Sequence, residues 1–85
     1  MNYRCNVCGF KGLDRPQYFE DKYPSFDICS CCGFQSGFDD DDQGYTFDSY
    51  RNKWINEGAE WFDKNRRPKN WDLRKQLKQI NITLE

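Results

Sequence analysis

The sequence predicts a small α+β fold: a pair of cysteine knuckles on short antiparallel strands, followed by two helices packed on it. Three observations predict it. The phrase C-x-x-C-G-F occurs twice, as Cys5-Asn6-Val7-Cys8-Gly9-Phe10 and Cys29-Ser30-Cys31-Cys32-Gly33-Phe34, 24 positions apart. Between Thr46 and Lys64 the large apolar residues recur at helical spacing. Beyond Trp71, Leu73, Leu77 and Ile80 stand at i, i+4 and i+7, the mark of a second helix. The chain therefore divides into a knuckle region, 1–43, and a helical region, 44–85, that share one core.

The knuckles carry the chemistry. Two intervening residues let both sulfurs of one turn reach a common ion, and the glycine after the second cysteine permits the positive φ with which such a turn leaves. Two such turns face to face supply four thiolates, the number a closed tetrahedral metal site takes. The expected ligands are Cys5, Cys8, Cys29 and Cys32, and the expected ion is one structural Zn2+, with iron the alternative. A disulfide framework is the competing reading. It leaves one of five cysteines unpaired, and no apolar leader with a basic flank precedes the first knuckle. Reduced cytoplasmic thiols are expected, where paired C-x-x-C reads as metal binding. Cys31 breaks the repeat and is expected to be a spectator, with an exchange of ligand role between it and its neighbours the alternative.

Eighty-five residues bury only about 60–65% of the surface an unfolded chain exposes, and ordinary net stability at this size is roughly 4–13 kcal/mol. A structural zinc site is worth about 10–16 kcal/mol in apparent binding free energy, so the knuckle region is expected to depend on its metal. The apolar content is concentrated in seven Phe, five Tyr and three Trp, and no run approaches the ~20 apolar residues of a membrane span. There is no histidine, which removes the commonest general acid/base.

In chain order, Tyr3 to Cys5 delivers the first knuckle and Phe10 to Leu13 returns from it. Asp14 to Pro24 reads as a surface loop. Ser25 to Cys29 alternates, with Phe26 and Ile28 on one side, as a half-buried strand does. Phe10 and Phe34 hold equivalent places after the glycines and are expected to cover the two sides of the metal site. The knuckles and their strands together make the layout of a zinc ribbon. Asp39, Asp40, Asp41 and Asp42 are expected to lie in solvent as a connector or an acidic recognition surface. They lack the ligand spacing of a calcium loop.

Thr46 is the expected N-cap of a long helix reaching Asp63 or Lys64. Its stripe holds Phe47, Tyr50, Trp54, Ile55, Gly58, Trp61 and Phe62 in an arc of about 140°. Gly58 signals either close approach of another backbone or a break. Arg51, the one charge in the arc, either snorkels outward or answers the acidic first half. Residues 1–43 hold four Lys/Arg against eight Asp/Glu, and residues 44–85 hold nine against six. From Lys64 to Lys78 there are seven basic residues and one acid, among them Arg66, Arg67 and Lys69.

The chain resembles the cysteine-rich CPCC-type small bacterial proteins, a zinc-ribbon-like family. The likeness lies in Cys5-x-x-Cys8-Gly9-Phe10 with Leu13, in Phe26-Asp27-Ile28-Cys29-x-x-Cys32-Gly33-Phe34, in Gly37-Phe38-Asp39-Asp40, and in Tyr50-Arg51-x-x-Trp54-Ile55. Neither knuckle carries the proline usual there. The resemblance implies four cysteine ligands and no established catalytic activity, and it extends to small accessory or immunity proteins encoded beside bacterial toxins.

Three functional classes follow. Four sulfurs saturate a metal and leave no position for activated water, which argues against an enzyme. A nucleic-acid-binding zinc ribbon draws on Lys64 to Lys78 with Trp71, against the repulsion of the acidic run. The leading expectation is a cytoplasmic protein-binding module, with a toxin as one partner, whose acidic surface (Asp39–Asp42) and basic surface (Arg66, Arg67, Lys69) meet a complementary protein. No membrane partner is expected.

Overall fold

The computed structural model describes residues 3–84. It has two short α-helices, α1 (Phe47–Asn56) and α2 (Leu73–Lys78), with a single 3₁₀ turn, Lys64–Arg66, between them. Strand content is slight among the described residues. Of three isolated antiparallel bridges, Tyr3 with Leu13 and Ile28 with Gln35 stand where short strands were expected, and Tyr18 with Pro24 closes the segment expected to be a loop. No described helix is long and apolar enough to cross a membrane.

The two knuckles nevertheless repeat each other in backbone detail. The amide of Gly9 donates to Cys5 O and that of Gly33 to Cys29 O, both at 2.9 Å. Cys5 N then bonds Phe10 O at 2.8 Å, and Cys29 N bonds Phe34 O at 3.0 Å. Gly9 and Gly33 leave their turns at φ +85° and +82°, where an L-residue is strained. At Gly9 there is a second demand. A Cβ there would stand 2.5 Å from the carbonyl oxygen of Gln76 in α2, so the missing side chain lets the second helix rest its backbone on the first knuckle.

The segment before the second knuckle differs from the strand the alternation suggests. Phe26 has φ +60°, and the hydroxyl of Ser25 accepts the amide of Asp27 at 3.2 Å. This local turn competes with extended pairing and breaks the alternation. Phe26 and Ile28 are therefore exposed, at 48% and 44%, and the ring of Phe26 lies against Gly37 and not in the core.

The first helix starts where its cap predicts. Thr46 Oγ1 accepts from Ser49 N at 3.0 Å, and Ser49 Oγ accepts from Thr46 N at 2.9 Å, a reciprocal capping box. It ends at Asn56, about seven residues short of the expected end. Gly58 and Ala59 turn left-handed, at φ +105° and +51°, and Ala59 N reaches back to Trp54 O at 2.8 Å. The indole N–H of Trp54 donates to Glu60 O at 2.8 Å and ties the returning chain to the helix. Gly58 thus serves a break and not a close approach: a Cβ there would meet only the side chain of Glu60, at 3.9 Å.

The break corrects the stripe. Past the break the chain is no longer helical, and Trp61 is buried (4% exposed) while Phe62 faces outward (63%). Beyond it the chain docks on the second knuckle, with Phe62 N on Cys31 O and Asp63 N on Ser30 O, each at 2.9 Å. The second helix is capped by Asp72, which accepts from Lys75 N, and it buries Leu77 completely. Its C-terminal turn closes at Asn81, φ +63°, with Ile82 N on Leu77 O at 3.0 Å.

Both regions contribute to one core. Cys5, Val7, Cys8, Leu13, Cys29, Cys31, Cys32 and Phe34 pack with Trp54, Ala59 and Trp61. Phe34 meets the rings of Phe47 and Tyr50 edge-on at 5.7 and 5.2 Å, while Phe10 meets Trp61 at 5.4 Å. Each knuckle phenylalanine therefore anchors a different part of the helical region: α1 for the second knuckle, the returning chain for the first.

Candidate metal centre

The sulfurs of Cys5, Cys8, Cys29 and Cys32 all lie within 4.8 Å of one another, and all four residues are buried. Across the knuckles, Cys5 Sγ to Cys32 Sγ is 3.8 Å and Cys8 Sγ to Cys29 Sγ is 3.7 Å. A tetrahedron with metal–sulfur bonds of about 2.3 Å has sulfur–sulfur edges of about 3.75 Å. A disulfide would need about 2.05 Å. The donor set therefore fits a metal ion held by four sulfurs, two from each knuckle.

The electrostatics agree with that geometry. Hydrogen bonds from Cys29, Cys32 and Cys8 hold the Cys5 thiol well below the ordinary thiol range against the opposing effect of burial. Burial pushes Cys8 and Cys32 well up. Cys29 gains a hydrogen bond from Cys32, but the bonds it shares with Cys5 and Cys8, together with burial, leave it raised overall. As thiols alone, four buried sulfurs at this spacing share little negative charge. A metal cation bound there would allow all of them to ionise together.

Around the sulfurs stands a polar shell that no motif announces. Val7 N donates to Cys5 Sγ at 3.4 Å. Gln17, only 4% exposed, donates its amide Nε2 to the same sulfur at 3.2 Å, while its Oε1 accepts Asn6 N at 2.8 Å. The 14–24 segment is therefore no mere surface loop, since it drops a glutamine onto the site. Gln76 of α2 donates to Cys8 O at 3.0 Å and to Cys31 Sγ at 3.3 Å, and accepts the indole N–H of Trp71 at 2.8 Å. Nothing in the sequence separates Gln17 and Gln76 from ordinary surface glutamines.

Arg51 answers the question its place in the stripe raised. It is 7% exposed and points inward: Nε donates to Val7 O at 2.6 Å, Nη2 to Asn6 O at 3.0 Å, and Nη1 to Asp48 Oδ1 at 2.5 Å. One guanidinium thus clamps the first knuckle's backbone to α1. Cys31 is fully buried, outside the four-sulfur group, and held by Gln76. Tyr50, whose hydroxyl reaches Cys32 O at 3.5 Å, has its phenol pushed up by burial and by Asp39.

The acidic run is not uniform. Asp39 accepts Gln35 N at 2.7 Å, and Asp40 accepts Gly37 N at 2.8 Å and Asp41 N at 3.0 Å. These two carboxylates cap the turns that follow the second knuckle and are half-buried, while Asp41 and Asp42 are exposed. Arg66, Arg67 and Lys69 are exposed as well. Arg66 donates to Ser30 Oγ at 3.1 Å and lies over the ring of Phe10 at 5.7 Å, and Arg67 lies over Trp71 at 5.5 Å.

No protein-family model matches the chain, and no solved structure matches it. Two relatives from Bacillus subtilis (strain 168) are similar to it, both bearing the description uncharacterized. YozI is 35% identical over 71 aligned positions, which span 66% of this chain and 59% of that protein. YoaQ is 34% identical over 106 aligned positions, covering 98% of this chain and 90% of YoaQ. At that identity over almost the whole length of both, the chain belongs to the same family as YoaQ.

Proposed function

We propose that this protein is a non-catalytic, zinc-stabilised protein-binding module. The observation that carries the reading is the group of four buried cysteine sulfurs within 4.8 Å of one another: an ion held by all four is a structural tie with no open position for substrate or water. The knuckle pair then acts as a zinc-ribbon-like frame in a reducing, cytoplasmic setting. Zinc is preferred because a closed set of four thiolates is its commonest structural site. The site holds the fold, and recognition falls to the surface. Charge complementarity sets association rate and partner choice there, and the exposed pair Asp41 and Asp42 is suited to steering a basic partner. Neutralisation of a toxin by occupying a basic cleft is one form this takes.

The test separates steering from folding. Asp41→Asn with Asp42→Asn should leave the thermal midpoint within about 2–4 °C, because exposed charges contribute little to stability. Asp39→Asn or Asp40→Asn should cost about 1 kcal/mol, because each weakens a capping bond to a backbone amide. With a protein partner captured from the native host in the presence of nuclease, the Asp41/Asp42 variant should associate more slowly and with a flatter salt dependence. A partner that is lost on nuclease treatment, or an unchanged association rate, contradicts the reading.

A further inference from the structure

We infer that two clefts sharing Trp61 as a common wall form a binding site for single-stranded nucleic acid, with one nucleotide unit in each cleft. The first cleft, about 290 Å³, has a floor of Phe10, Trp61 and Pro68 and a rim of Arg4, Lys11 and Lys75, with no carboxylate among its lining residues. The second, about 410 Å³, is lined by Trp61, Trp71, Lys64 and Arg67, with Glu60 its one carboxylate.

The rings run in a row. Phe10 and Trp71 each meet Trp61 edge-on, at 5.4 and 5.5 Å, and are themselves only part-buried. Each end ring carries a guanidinium, Arg66 over Phe10 and Arg67 over Trp71. Within the clefts themselves, Phe10 with Arg4 and Lys11 and Trp71 with Arg67 and Lys64 repeat the set of ring, guanidinium and lysine about Trp61, whereas Arg66 lines neither. The indole N–H of Trp61 is buried without an acceptor among the described residues.

A nucleotide unit matches this set at both ends. Its base has a flat face for an aromatic ring or guanidinium plane, and its phosphate suits the lysines and arginines. An acidic peptide would use the cations and leave the ring faces idle. A strand is favoured over a free nucleotide because the set occurs twice about one wall. None of Asp39 to Asp42 lines either cleft, so their repulsion of a phosphate backbone acts from outside the site. The clefts use neither Asp41 nor Asp42, the residues assigned to steering a protein partner, so protein steering and nucleic-acid binding can each fail alone.

The experiment titrates the metal-loaded protein with a 12-mer of deoxythymidylate, a 12-mer of uridylate, free uridine monophosphate and a polyglutamate peptide, following tryptophan fluorescence at several salt concentrations. Both 12-mers should bind with quenching. The mononucleotide should bind far more weakly, and polyglutamate should give no quenching. Lys11→Glu with Lys75→Glu, and separately Lys64→Glu with Arg67→Glu, should each weaken 12-mer binding about tenfold or more. Each pair should lower the log–log salt slope by about 1.4, two phosphate contacts at about 0.7 each. Lys22→Glu, outside both clefts, should change neither the slope nor the quenching, and its affinity should fall less than twofold. If a charge reversal prevents folding, the same positions as Gln give the same reading at smaller amplitude. Absence of quenching at low salt, equal binding by the cleft variants and wild type, polyglutamate acting like the 12-mers, or a mononucleotide binding as tightly as a 12-mer would each overturn the inference.

Discussion

Cys29→Ser is expected to lose the bound metal and to leave the knuckle region unfolded, whereas Cys31→Ser retains full metal content. The difference follows from position: Cys29 lies in the four-sulfur group with Cys5, Cys8 and Cys32, and Cys31 does not. The loss is large because metal binding is worth about 10–16 kcal/mol, as much as or more than the roughly 4–13 kcal/mol of net stability ordinary for this chain length. Cys31→Ser keeps an acceptor, now a hydroxyl oxygen, near the Gln76 amide and should cost only about 1 kcal/mol. Acid should imitate the cysteine loss. Thiolates must be deprotonated to bind metal, so metal-linked stability is present at neutral pH and lost as pH falls and protons compete for the sulfurs. Elemental analysis with circular dichroism from pH 8 to pH 3 checks both points. Full metal in Cys29→Ser would overturn the ligand assignment.

Trp61→Ala should destabilise the metal-loaded protein by about 3–5 kcal/mol, and Trp54→Ala by a similar amount. Trp61 is 4% exposed and holds Phe10 of the first knuckle on one side and Trp71 on the other, so its removal opens a cavity where the two regions meet. Trp54, 5% exposed, also donates the bond to Glu60 O that closes the helix break. At about 4–8 °C per kcal/mol for a domain this size, each melt should fall by more than about 12 °C. Phe62→Ala, at an outward position, should cost under about 1 kcal/mol. An equal loss at Phe62 and Trp61 would mean that α1 continues through both, as a regular helical stripe would have it.

The contrast between those tryptophans and Phe62 marks what can be read from the chain. The cysteine spacing specifies the site because two C-x-x-C-G turns can each present a pair of sulfurs, and the backbone bonds from Gly9 and Gly33 repeat that geometry. The Thr46 cap was legible for the same reason, since it acts within three residues of itself. Periodicity failed where a local backbone choice overrode it. Gly58 permitted either helix or break, and the Trp54 bond to Glu60 O, set by tertiary packing, favours the break. Ser25 and Phe26 likewise form a turn that no apolar pattern encodes. Least legible were the long-range polar contacts. Gln17 and Gln76 reach the knuckles only because the fold carries them there, 12 residues from Cys5 and 68 from Cys8. Arg51 drew notice solely because a charge stood within an aromatic stripe.

The closed four-sulfur centre is the claim on which the functional reading depends, and X-ray absorption at the metal edge tests it most directly. The account predicts one metal ion per chain, four sulfur neighbours at about 2.3 Å and no oxygen or nitrogen in the inner shell, with the same spectrum for Cys31→Ser. A shell of three sulfurs and one lighter atom would mean an open coordination position, and would contradict a purely structural centre.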